Sequence, residues 1–490
     1  MARYADWRDE YRSRLKGLDE AMEVIQEGDL VRLTILAPGE LTAAFQKRAK
    51  ALSRVDIRLI APREVQLFGP DAPVGEKEIE IFIGDSSRFA TDAQIATYLP
   101  TTFMLGMKPF DDHREEARIP DVFLTTCSAP NEAGFIHFGP HMWLRKSYAR
   151  RCKHTIAVVD PNMTPVHGDV WMHVSEIETF VEGALQRIDK AAIRQRVETL
   201  SNEADRPALL RILERASLDQ LALVEPNFHL VPPAMLGIAF GEAIVDPAAQ
   251  AIADNVRQLI RDGDTIQVGV GQPSSLMFKA GAFDDAHDLG LHTELGSPGL
   301  ARLWERGILT GAKKTLHPNR AVAVAWSGCD GDDLRIINDN PVFELYDPDV
   351  LLNPAYMSQN RQMTSINSAV AVDLLGQIAS EDRFGGHMIN GTGGQPDTHI
   401  SAAICRDGRA ITVMRSTAVE GTINKIVARH EAGTLVTIPR YLADTIVTEH
   451  GVARLMDKNH RQRAEELISI AHPDFRAELR KEALELVGSL

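Results

Sequence analysis

Short apolar runs bounded by turn residues alternate with amphipathic stretches along most of this chain. Residues 18–26 carry apolar positions at helical spacing and stop before Gly28. Residues 30–36 form an apolar run closed by Pro38 and Gly39, and residues 41–52 return to the helical pattern. Residues 55–60, 79–83, 122–125 and 155–159 are short, β-branched and flanked by turn formers, as strands buried on both faces are. Strands alternating with helices predict right-handed βαβ units and an open, mostly parallel sheet.

The pattern changes over residues 181–223, which are helical and densely charged, with Lys190, Arg194, Arg196, Glu198, Glu203, Arg211 and Glu214. Residues 227–233 read as a loop. Alternation resumes near Ala239, with a helix over 248–261 and strands over 265–270, 321–326, 370–374, 402–405 and 435–438. Helices over 461–471 and 475–487 close the chain. The expected organisation is an α/β protein with two open, mostly parallel-sheet domains of related topology, residues 1–180 and 239–490, joined by a helical bridge over 181–238.

Composition narrows the function classes. At 490 residues, the chain exceeds what one core ordinarily organises, which agrees with two domains. A hydrophobic share of 44% and a charged share of 25% fit a globular protein. The net charge of −15 excludes a general nucleic-acid binder, whose footprint is a basic stripe. Cys127, Cys152, Cys329 and Cys405 form no C-x-x-C pair, which argues against a disulfide framework or a zinc site. No apolar run reaches the roughly 18 residues a membrane span needs, and residues 1–19 are too charged for a signal peptide. The expectation is a cytoplasmic protein without a metal.

Candidate chemistry centres on Leu291-His292-Thr293-Glu294 and on Val268-Gly269-Val270-Gly271-Gln272-Pro273 just upstream. A carboxylate at a strand end can attack an acyl group when nearby backbone N–H groups hold the developing charge. The glycine turn lets the backbone approach a ligand closely. It fails the dinucleotide fingerprint, because Ser274 stands where the third glycine belongs. A second glycine cluster, Gly391-Thr392-Gly393-Gly394-Gln395, can aim N–H groups at an oxyanion. His292 reads either as an orienter of Glu294, sharing its face if both lie on one strand, or as a buried structural histidine. Lys313, Lys314 and His317 read equally as phosphate contacts or as a solvated loop. No G-x-S-x-G elbow or H-E-x-x-H pair occurs.

Together with Lys313-Lys314-Thr315-Leu316-His317-Pro318 and Ser365-Ile366-Asn367-Ser368, these segments follow one another in a single known order. The chain resembles the family I coenzyme A transferases, in the branch of 4-hydroxybutyrate CoA-transferases and acetyl-CoA hydrolases. The resemblance implies that Glu294 is the nucleophile and that Gly393 and Gly394 line the site opposite it. It further implies that Gly269, Val270, Gly271, Gln272, Pro273, Asn367 and Gly391 contact CoA. CoA and acyl-CoA are then substrates, with a small carboxylic acid as the second partner and no tightly bound cofactor. The implied site lies where the two domains meet, in a homodimer or higher homo-oligomer. Acyl-CoA hydrolysis by the same glutamate, or acyl-CoA binding without catalysis, are the alternatives.

Within the resemblance, Ser128-Ala129-Pro130-Asn131-Glu132-Ala133-Gly134-Phe135 matches a loop near the acyl pocket of relatives. This makes His137, His141 and Trp143 candidates for shaping acyl specificity. Three positions depart from the family pattern: Ser297-Pro298-Gly299 after the glutamate, Thr398 in place of an aromatic residue, and Glu420 in place of a lysine.

Overall fold

The computed structural model describes residues 7–60, 67–69, 72–83, 85–200, 202–222, 224–225, 227–241, 244–382 and 385–488. Residues 1–6 of the charged N-terminal stretch and Leu223 at the end of the helical stretch lie outside this set. Contacts divide the chain into two units that are not contiguous in sequence. The first holds Met1–Thr101, Leu105–Glu242 and Val324–Asp349; the second holds Thr102–Met104, Ala243–Ala323 and Val350–Leu490.

The first unit is built on seven strands: β1 (Leu30–Leu33), β2 (Asp56–Ile60), β3 (Lys77–Glu80), β4 (Thr97–Leu99), β5 (Val122–Cys127), β6 (His154–Val159) and β7 (Thr179–Val181). They pair in the order β7-β6-β5-β1-β2-β3-β4, and every pairing is parallel. All residues of β1, β2 and β5 are buried, as a sheet covered on both faces requires. That burial includes charge: Arg32 meets Glu80 at 2.7 Å with both side chains sealed from solvent. Tyr148 donates a 2.9 Å hydrogen bond to the same carboxylate, and its ring lies 3.8 Å from the Arg32 guanidinium carbon. Such a pair holds only when its remaining donors and acceptors are engaged.

The helix α1 (Gly39–Ala49) follows β1. In the charged stretch, α2 (Lys190–Glu198) begins at Asp189, whose carboxylate accepts from the N–H groups of Ala191 and Ala192. It packs with α3 (Arg206–Arg215) around Ile193, Val197, Leu209, Ile212, Leu213 and Phe228. These helices belong to the first unit and carry a small core of their own. Residues 227–233, expected as loop, contain a 3-10 turn over Phe228–Leu230 with Phe228 fully buried.

The second unit repeats the winding. Its main sheet includes β8 (Thr265–Val268), β9 (Gly290–His292), β10 (Ala321–Ala323), β11 (Met363–Ser368), β12 (Arg409–Val413), β13 (Thr445–Thr448) and β14 (Gly451–Arg454). Their order is β14-β13-β12-β11-β8-β9-β10, parallel except for the β13–β14 hairpin. In both units the first strand is central, the next ones run outward on one side, and later strands fill the other. Such a reversal of strand order opens a crevice at the carboxyl ends of the central pair. In the second unit that pair is β8 and β11.

Helix α4 (Pro247–Arg257) leads into β8, with Asp246 accepting from Ala249 N–H at its start. Helix α5 (Gln395–Ile404) connects β11 to β12, and α6 (His460–Ser469) and α7 (Arg476–Val487) close the chain. Two expected strands are overturned. Residues 402–405 end α5, because Gly394 and the proline at its second position start a helix that carries through this short apolar run. Residues 435–438 form no strand: Leu435 and Val436 are exposed, and only Ile438 makes an isolated bridge, to Ile378. Among the described residues no helix is long and apolar enough to cross a membrane.

Candidate active site

Strand β9 ends at His292, and Glu294 lies two residues beyond it, at the carboxyl edge of the sheet. Thr293 fixes this exit. Its hydroxyl accepts from Val268 N–H at 3.1 Å and donates to Val268 C=O at 3.0 Å, which ties the approach to Glu294 to the end of β8. The Glu294 side chain is only 2% exposed, and its Oε1 has no hydrogen-bond partner among the described residues. An unpartnered buried carboxylate oxygen is rare, and a native protein that keeps one has a use for it.

Helix α5 starts at this carboxylate. Gly394 is its N-cap, and a Cβ built on Gly394 would lie 2.6 Å from Glu294 Oε2 and 3.1 Å from the Phe103 ring. A side chain there would have to displace the carboxylate or the ring. The first N–H groups of a helix have no partner within it, and its dipole favours negative charge at that end. Gln395 follows, and its Nε2 is likewise buried without a partner. Gly393 precedes with φ at +61°, a backbone conformation that glycine adopts without strain.

Electrostatics push the two carboxylates here upward. Burial, then the charge of Asp397, raises Glu294 from 4.5 to about 8. Asp397, at the third position of α5, is pushed up to about 6 by burial; hydrogen bonds from Thr102, Met104 and Phe103 oppose that shift. Neither Asp397 nor Phe103 was singled out from the sequence. Asp397 is visible there as the acid two residues after Gln395, whereas nothing marks Phe103.

The glycine turn sits at the end of β8, beside β11. A Cβ on Gly269 would fall 2.1 Å from Asn367 Oδ1, so this position tolerates no side chain. Ser274 closes the turn, donating from its hydroxyl to Gly269 C=O at 2.8 Å and Gly271 C=O at 3.0 Å. Its own N–H donates to Ser368 Oγ at the end of β11. Pro273 is buried, and the turn presents Val270, Gly271 and Gln272 to solvent. Asn367 belongs to a buried network. Its Nδ2 donates to Ser365 Oγ at 2.9 Å and Thr398 Oγ1 at 3.1 Å, and its Oδ1 accepts from Gln267 Nε2 at 3.2 Å. Thr398 lies on α5, so the network joins the turn, β11 and the helix that starts at Glu294. The Thr398 side chain is fully buried in these bonds.

A buried carboxylate, a helix start against it and an exposed glycine turn at the neighbouring strand suit acyl transfer from a large ligand. The sequence comparisons agree. Residues 334–483 match the model of the acetyl-CoA hydrolase/transferase C-terminal domain. Over 482 residues, 97% of this chain and 99% of the relative, the chain is 30% identical to the 4-hydroxybutyrate coenzyme A transferase of Clostridium kluyveri.

The chain belongs to the family I CoA-transferases.

Solved structures of similar proteins include RipA from Yersinia pestis, with a TM-score of 0.77 and 25% identity, covering 98% of this chain and 99% of that one. They also include a 4-hydroxybutyrate CoA-transferase from Porphyromonas gingivalis, with a TM-score of 0.68 and 26% identity, covering 98% and 100%.

The remaining candidates in this CoA-transferase have the following surroundings. His292 is fully buried, its Nε2 donating to Leu351 C=O at 2.8 Å and its Nδ1 accepting from Asn360 at 3.1 Å. Burial pushes its pKa down to about 3, so the ring is neutral. Because β9 ends at His292, the alternation that would align it with Glu294 does not extend that far. Lys314 Nζ is spent on the carbonyls of Leu291 and Arg320, Lys313 pairs with Asp288 at the surface, and His317 bonds Tyr356. Gly391 is buried, and its N–H donates to Asn390 Oδ1. In the first unit, His137 accepts from Gly139 N–H, and burial pushes its pKa down to about 4. His141 and Trp143 are buried there too, Trp143 edge-on to Phe82. Among the described residues no three His, Cys, Asp or Glu side chains converge as metal ligands.

Proposed function

We propose that this enzyme moves CoA between an acyl-CoA and a carboxylic acid by a ping-pong route through a glutamyl-CoA thioester at Glu294. Glu294, once its proton is released, attacks the thioester carbonyl as a carboxylate; the C–S bond breaks, and an acyl-glutamyl anhydride forms as CoA thiolate leaves. The thiolate then attacks the glutamyl carbonyl, the anhydride C–O bond breaks, and the first acid departs as its carboxylate. The acceptor carboxylate runs the same steps backward. Splitting one exchange into linked transfers is what a covalent intermediate provides.

One observation carries this reading: the buried Glu294 carboxylate, with Oε1 unpartnered and Oε2 against Gly394 at the start of α5. The N–H groups of Gly393 and Gly394 are the assigned oxyanion donors, a contribution of about 3–4 kcal/mol in comparable sites. The exposed turn Val270-Gly271-Gln272, held by Gly269 and Pro273 and backed by Asn367, is the assigned CoA contact. The name of the Clostridium kluyveri relative supports a small acid as one exchange partner.

Hydrolysis of the same intermediate is the second reading, because the matched family model covers hydrolases too. The 2% exposure of Glu294 favours transfer.

The test is the intact mass of the protein after incubation with acetyl-CoA or succinyl-CoA, with and without borohydride. A CoA adduct on Glu294, converted by borohydride and absent from Glu294→Ala, is the expected result. A wild-type adduct that persists in Glu294→Ala overturns the assignment.

A further inference from the structure

Phe103 and Glu294 converge on Gly394. The Phe103 side chain is fully buried, and its Cε2 and Cδ2 lie 3.1 and 3.2 Å from where a Gly394 Cβ would stand, the same point that is 2.6 Å from Glu294 Oε2. The ring offers no hydrogen bond, so a water molecule on that side of the carboxylate would find no partner in it.

Asp397 holds the ring there. Its Oδ1 accepts from Thr102 Oγ1 at 2.7 Å and its Oδ2 from Met104 N–H at 3.2 Å, with the Phe103 N–H adding to the grip. Both carboxylate oxygens therefore clasp the residues on either side of Phe103. The three residues Thr102–Met104 pack with the second unit, while the chain before and after them belongs to the first. This cluster explains an otherwise costly arrangement, since Asp397 is only 1% exposed and its charge raises the Glu294 pKa.

We propose that Phe103 is a water-excluding wall of the Glu294 site and that Asp397 is the residue that positions it. Together they set how much glutamyl-CoA passes to the acceptor acid and how much is lost to water. In the losing branch, water oxygen attacks the glutamyl carbonyl and the C–S bond breaks. One water proton ends on the CoA thiol, the other is released, and the Glu294 carboxylate is restored. The inference rests on the glutamyl-CoA reading above, and it concerns the fate of that intermediate rather than its formation.

The test compares CoA thiol release from acetyl-CoA without acceptor with propionyl-CoA formation when propionate is present, in the full-length protein. Phe103→Ala opens the wall and is expected to raise the ratio of hydrolysis to transfer at least ten-fold, whereas Phe103→Leu keeps an apolar wall and stays near the parent. Asp397→Ala removes both acceptors of the clasp, so its ratio rises as well. The ratio follows one intermediate into two products, so a merely slower or less stable enzyme leaves it unchanged. An unchanged ratio in Phe103→Ala overturns the proposal; if that variant does not fold, an unchanged ratio in Asp397→Ala does so. Failure of the glutamyl-CoA reading itself looks different: the parent protein then forms no Glu294 adduct at all.

Discussion

Glu294 carries a stability cost that pH exposes. Its carboxyl is raised to about 8 in the folded protein from an ordinary value of 4.5. Between those values the folded state keeps a proton that the unfolded chain releases, so this group's contribution to stability falls as pH rises across that window. Glu294→Gln keeps the shape and removes the charge. The variant should therefore gain on the parent from pH 5 to pH 9, by on the order of a few kcal/mol at the upper end. Urea unfolding at both pH values checks this, and a constant difference would show that the carboxylate bears no such burden. As a site residue, Glu294 was legible from the sequence because a carboxylate beside a glycine turn, in a known order of segments, has few other uses. Asp397 was legible only as a letter: its partners Thr102 and Met104 lie far away in the chain, Thr102 by 295 residues. Phe103 gave no signal, since an aromatic residue in an apolar stretch reads as core.

At the scale of elements, the start of α5 is where geometry is least tolerant. Gly394 has φ −91° and ψ 0°, which alanine can adopt, so the cost of Gly394→Ala is steric. The new Cβ, 2.6 Å from Glu294 Oε2, must displace the carboxylate or the Phe103 ring. A displacement of about 1 Å at a reacting group costs about 100-fold in rate. Steady-state kinetics should show kcat lowered by about that factor while KM for acyl-CoA changes little, because the Gly269 turn is untouched. A large rise in KM instead would mean that Gly394 contacts the cofactor directly. Most strands and helices followed from period and flanking turns. Residues 402–405 and 435–438 were misjudged because short apolar runs carry no period. In one a helix already under way decided the outcome; in the other, Leu435 and Val436 face solvent.

For the whole molecule, a net charge of −15 meets an anionic substrate. Repulsion at long range slows encounter, and salt screens it. Raising ionic strength from about 0.01 to 0.1 M shortens the screening length from about 30 to about 10 Å, so kcat/KM for acyl-CoA should rise. A fall would mean that a locally basic approach surface governs encounter. The sequence by itself determined the α/β class, the alternation that builds parallel sheets, the glycine turn and the candidate glutamate. Each depends on residues close together in the chain, where spacing alone carries the information. Only the tertiary structure decided the strand order within each unit and that Thr102–Met104 pack with the second unit. It also decided that Thr293, Asn367 and Thr398 tie β8, β11 and α5 into one site. The physical reason is common to all three. Burying a carboxylate beside a helix start requires partners from several distant segments, and a linear pattern does not record which segments meet.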